Sequence, residues 1–154
     1  MINYAECKVC EGIVPDDVKP FFLEYEQHGA AANDTLESIT VIANEDGVKT
    51  MKFIAKLPWP LSNRVMFSSH YLELDQEDGS HMMLFSGDGN GGYANDENVM
   101  TAKEKKKLVV AHTYVSGWWA VPIKDDSGAV TGCRMLYFAS IEAGGNIPTF
   151  VQNS

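Results

Sequence analysis

The sequence predicts an α+β fold dominated by an antiparallel sheet of about seven strands with short helices. Two observations carry this. Three pairs of strand-like runs are each joined by a short acidic turn that ends in glycine. A proline-led helical segment separates them from a strand-like start. The 154 residues are read as one domain, 1–154, long enough to bury about 70% of the surface its unfolded chain exposes.

In chain order, residues 1–11 read as a strand. Cys7 and Cys10 form a C-x-x-C within it, but side chains three apart on a strand point to opposite faces, so no metal site is expected. Pro15-Asp16-Asp17 then opens a helix, with proline and acids in the first turn, where the missing N–H and the dipole favour them. Val18, Phe21, Phe22 and Tyr25 follow at helical spacing, and Pro20 is expected to bend or break the helix. Residues 28–33 read as a small polar connector.

Residues 36–44 and 48–57 flank the turn Asn44-Glu45-Asp46-Gly47, and 64–74 and 81–88 flank Gln76-Glu77-Asp78-Gly79. Residues 108–123 and 129–142 flank Lys124-Asp125-Asp126-Ser127-Gly128. Between the last two hairpins, 88–107 read as a polar loop. It begins Asp88-Gly89-Asn90-Gly91-Gly92 but carries Val99 where a calcium loop needs its bidentate Glu.

Net charge is −9, which disfavours nucleic acid as a partner. The one basic cluster, Lys103 to Lys107 interrupted by Glu104, reads as a solvated face, with contact to anionic head groups as the alternative. Three cysteines make no disulfide framework. The N-terminus lacks the basic start and apolar stretch of a signal peptide, so a cytoplasmic location is expected, peripheral at membranes.

Two stretches carry a resemblance. Leu57-Pro58-Trp59-Pro60-Leu61-Ser62-Asn63-Arg64 is a proline-pinned loop with a large aromatic side chain, and Gly144-Gly145-Asn146-Ile147-Pro148-Thr149-Phe150 ends the last strand and opens a helix. They resemble the P-x-P-(L/M)-S-N-R and G-G-x-I-P-x-(W/F) motifs of the START family, lipid-binding and lipid-transfer domains related to phosphatidylcholine transfer protein. The resemblance runs from about Tyr4 to the end. It implies a helix-grip fold, in which a curved antiparallel sheet wraps a long C-terminal helix and a lipid lies between. This sequence stops at Ser154, after barely a turn of that gating helix, and lacks the family's N-terminal helix. Either the sequence is a trimmed piece of a longer domain, or a protein partner or a second copy supplies the cover for the open grip.

The resemblance also assigns residues. Met51, Phe53 and Ala55 on one strand and Met66, Ser68, His70 and Leu72 on the next are implied to face the lipid, with a simply filled core as the other reading of each. Asp34 falls at a head-group position. Trp59, Leu61 and Arg64 form the implied mouth loop for transient membrane docking. Val65 replaces the aspartate usual after the motif arginine. Met51 and His70 stand where cholesterol-binding members resemble one another in an acid–arginine pair. At the head-group positions of phosphatidylcholine binders stand Ala30, Asp34, Phe53 and Met66, and Val110 takes the place of a later arginine.

A zwitterionic phosphate would lose its main cation here, a deficit of about 1.5–3 kcal/mol. The expected ligand is therefore a sterol, acyl lipid or ceramide-like lipid rather than phosphatidylcholine. The expected function is lipid binding with transfer between membranes. The alternatives are a lipid-sensing regulatory module without transfer, or a cavity enzyme of the wider superfamily. Catalysis would need an acid–base pair, and His70 is the one inward base in view, with no inward carboxylate at a suitable register. No catalytic residue and no cofactor are expected.

Overall fold

The computed structural model describes residues 1–148 of the chain. Thr149, Phe150 and the helix expected after Pro148 lie outside the described residues. The strands are β1 (Ile2–Glu11), β2 (Leu36–Glu45), β3 (Val48–Ala55), β4 (Arg64–Glu73), β5 (His81–Ser86), β6 (Val109–Val110), β7 (His112–Lys124) and β8 (Val130–Glu142). The helices are α1 (Pro15–Leu23), α2 (Tyr25–Ala32) and α3 (Ala102–Lys107). None is long and apolar enough to cross a membrane.

One sheet runs in the order β1-β8-β7-β5-β4-β3-β2 with antiparallel neighbours. Among the described residues the strands number eight, because the run expected at 108–123 divides. Val109 and Val110 pair in parallel with Arg64 and Val65 before β7 begins.

α1 opens on Pro15 as read, and the Asp17 carboxylate accepts the Val14 N–H at 2.9 Å. The break falls at Glu24 rather than Pro20, whose carbonyl still accepts the Glu24 N–H at 3.0 Å. The expected connector at 28–33 is mostly helix, a correction with two physical causes. Ala30, Ala31 and Ala32 have the highest helix propensity of any residue. Gly29 lets α2 lie against β2, since a Cβ there would sit 2.6 Å from both Ile39 Cδ1 and the Tyr25 ring.

The expected loop at 88–107 is also more ordered than its composition implies. It holds a 3₁₀ turn, Gly91–Asn95, and α3. A capping box starts α3: the Glu104 N–H donates to Thr101 Oγ at 3.2 Å and the Thr101 N–H to Glu104 Oε2 at 2.8 Å.

These additions give the sheet two cores. On the inner face, Phe22 and Tyr25 from the first two helices pack with Met51, Phe53, Met83, Phe85 and Ala120. On the outer face, Ile54, Val65 and Phe67 pack with Met100 from the 88–107 segment, flanked by Tyr93 and Val99.

Candidate functional site

Strand alternation sets the inner face. Met51 lies opposite Ser68, Phe53 opposite Met66, Ala55 opposite Arg64, and His70 opposite Phe85 on the far side. The two expected wall sets thus share one face. A cavity of about 80 Å³ lies on it. Tyr25, Asn33 and Leu36 bound one side, Phe53, Met66, Ser68 and Phe85 the floor, and Thr113, Ser116, Trp118, Tyr137 and Ile141 the β7–β8 side.

Among the described residues, none that lines the cavity is charged. The polar side-chain groups are one amide (Asn33), three aliphatic hydroxyls, the indole N–H of Trp118 and the phenols of Tyr25 and Tyr137. Burial pushes the Tyr25 pKa up to about 12 and raises that of Tyr137, so both stay O–H donors at physiological pH.

Among the expected wall residues, Phe53, Met66 and Ser68 line this cavity. Met51, His70 and Leu72 lie outside its lining, Met51 fully buried and Leu72 packed against the same core. Ala55 is half-buried beyond it. Asp34 is exposed in the turn after α2, while its neighbour Asn33 reaches the cavity. Sequence reasoning missed the β7–β8 wall because the resemblance anchored attention on β3 and β4.

The docking-loop residues divide. Trp59 is 92% exposed and Leu61 half-buried. Arg64 is only 5% exposed, which corrects its expected place on a docking surface. Its Nε donates to the Ala143 carbonyl at 2.7 Å and Nη2 to the Gly144 carbonyl at 3.2 Å, while Nη1 donates to the Ser62 carbonyl. Gly144 has φ +63°, and a Cβ there would lie 2.2 Å from the Val110 carbonyl oxygen. The two motifs therefore meet in space, and Arg64 is the strut that joins them.

His70 is 5% exposed and stacks on Phe85, with centroids 5.0 Å apart. Its Nε2 has no hydrogen-bond partner among the described residues. Burial pushes its pKa down to about 4, with Glu26 opposing and Lys49 reinforcing the effect. The Lys49 ammonium donates to Glu26, whose carboxyl stays below its usual range although burial works the other way. Glu26 is thus an inward carboxylate after all. Strand register could not reveal it because α2 supplies it.

The His70 shift has a pH consequence. The unfolded imidazole takes a proton near pH 6.5 and the folded one only near pH 4. Stability is full above about pH 6.5 and falls as pH drops through that window, by about 2 kcal/mol from pH 7 to 5. Urea denaturation at both pH values should show this loss in the wild-type chain. His70→Phe should show a loss smaller by about that amount.

Among the described residues, one group brings metal-ligating atoms together: Asp16, Asp75 and His81. Its atoms are already engaged. His81 Nδ1 accepts the Asp75 N–H at 2.9 Å, Nε2 lies 2.7 Å from Asp16 Oδ1, and Lys19 holds the Asp75 carboxylate at 2.7 Å. The cluster latches the start of α1 to the β4–β5 turn.

No protein-family sequence profile and no curated protein matches the chain. Solved structures do match it by shape. Human STARD10 superposes with a TM-score of 0.70 at 16% identity, covering 99% of this chain and 56% of that one. Human StAR-related lipid transfer protein 5 gives 0.71 at 12% identity, covering 98% and 66%. A STAR-related lipid transfer protein fragment from Xanthomonas axonopodis gives 0.66 at 16%, covering 98% and 75%. The chain spans less than two thirds of either human protein. At these identities the likeness is one of fold, and the START helix-grip fold implied by the motifs is the fold of this chain.

Proposed function

We propose that this START-fold chain binds a neutral or weakly polar lipid against the inner face of its sheet and transfers it between membranes. One observation carries the reading: an apolar cavity whose polar groups are all uncharged donors and acceptors. Hydroxyls, an amide and two protonated phenols match the hydroxyl or amide of a sterol, a ceramide-like lipid or a protonated acyl lipid. They offer no cation to a phosphate.

At about 80 Å³ the cavity accepts only a few methylene groups. The bulk of the ligand lies along the β7–β8 wall, where Trp118, Tyr137 and Ile141 are half-buried. Met66 can shift to admit it, since an unbranched thioether repacks at low cost. Catalysis is the weaker reading, because His70 and Glu26 lie outside the cavity lining. The exposed Trp59 loop meets the membrane from the cytoplasmic side as the ligand passes.

Native mass spectrometry of the freshly purified chain, with extraction of what co-purifies, tests this. One lipid species near one-to-one stoichiometry, displaced by ceramide or cholesterol at least tenfold more readily than by phosphatidylcholine, is the expected result. Preferential retention of phosphatidylcholine overturns the ligand class. A lipid-free dimer overturns the cavity reading and favours a protein-covered regulatory module.

A further inference from the structure

The Trp59 loop and α3 are about 45 residues apart in sequence, yet they line one groove of about 990 Å³. Trp59 and Leu61 form one bank, and Lys103, Lys106 and Lys107 stand on the other. α3 spans four of the chain's 12 lysines and arginines.

The acid inside that run does not cancel them. Glu104 turns toward the sheet, where one oxygen caps the Thr101 N–H and the other pairs with Lys52 at 3.1 Å. Lys105 is directed aside to the Asn95 carbonyl. Glu37, the remaining acid of the groove, accepts from the Asn63 side-chain amide at 2.9 Å. Three lysines against one solvent-facing acid make this a positive surface on a chain of net charge −9.

We propose that this groove docks on a bilayer containing anionic phospholipid, with Lys103, Lys106 and Lys107 meeting head-group phosphates and Trp59 entering the interface. The proposal rests on the membrane-contact part of the function above and names the surface it meets. Charge complementarity selects the occupant. A planar anionic surface can meet the positive groove while the acidic remainder faces water. A wrapping polyanion would run onto that acidic remainder and be repelled. The indole suits the same surface, its ring apolar and its N–H hydrated. Each lysine near such a surface contributes about fivefold in affinity, so three together contribute on the order of 100-fold.

Flotation of the whole chain with phosphatidylcholine vesicles, with and without phosphatidylserine, tests the proposal at low and high salt. Phosphatidylserine vesicles should bind at least tenfold more tightly, and high salt should remove the difference. The K103Q/K106Q/K107Q chain should fall to the phosphatidylcholine level with an unchanged circular dichroism spectrum. Trp59→Ala should weaken binding to both vesicle types alike. Equal binding to the two vesicles, undiminished binding of the triple variant, or undiminished binding of Trp59→Ala overturns the proposal. Lipid retention read on the same samples keeps the two ideas apart. A chain that holds lipid but ignores phosphatidylserine defeats only the docking surface, and one that docks empty defeats only the cavity.

Discussion

Replacing Arg64 with lysine is expected to destabilise the chain by about 3 kcal/mol, although the charge is unchanged. The guanidinium reaches three backbone carbonyls, those of Ser62, Ala143 and Gly144, from two segments far apart in sequence. An ammonium is a point donor on a shorter stem and cannot span that fork. At least one carbonyl loses its partner at a position where water enters poorly, and each hydrogen bond to a charged group is worth about 1.5–3 kcal/mol. The urea midpoint should drop with little change in slope. Arg64→Met, which removes every donor, should lie lower still. A lysine variant within about 0.5 kcal/mol of wild type would show that the motif arginine is not a strut.

The second large effect is expected on ligand rather than on fold. Ser68 is 1% exposed and lines the cavity floor. Phenylalanine there should occupy the free volume itself, at a cost of about 1–3 kcal/mol in overpacking. Co-purifying lipid should fall at least tenfold while the far-ultraviolet spectrum is kept. Ser68→Ala leaves the volume open and should retain most of the ligand. Undiminished lipid in a folded Ser68→Phe chain would place the site away from this cavity.

The sheet was readable from sequence because its signals are local. Acidic turns ending in glycine bracket alternating runs, and every expected hairpin is present, with strand ends shifted by one to a few residues. The helices were harder. Pro20 drew the expected break four residues early, because a proline in an exposed helical position costs a bond without stopping the chain. α2 was half missed because residues 28–33 read as small and polar, and only the Tyr25 and Ile39 contacts show why Gly29 is small.

The site was legible in part for a related reason. Period-two alternation grouped Phe53 with its strand neighbours and Met66 with Ser68, and the family resemblance joined the two groups into one wall. It could not show which of that face borders free space, nor that α2 brings Glu26 to Lys49, since those depend on how helices seat on the sheet. Arg64 was recognised as part of a motif, but its burial follows from the return of residues 143 and 144, which no local pattern encodes.

The outer core has a further consequence, for how β3 and β4 find their alignment. Most strands are oriented by contrast, one face oily and one wet, so a slip of one residue exposes the wrong side chains. Here Ile54, Val65 and Phe67 are buried on one side, and Met51 and Phe53, with Met66 packed against their core, on the other. A slipped pair would still place hydrocarbon against hydrocarbon. Polar pins must carry the discrimination. The Lys52 ammonium donates to the Val99 carbonyl at 2.8 Å, the Asn90 amide to Ser69 Oγ at 3.0 Å, and Arg64 to its carbonyls at the strand's start. A handful of hydrogen bonds thus act as the ratchet teeth of a sheet whose grease is the same on both sides.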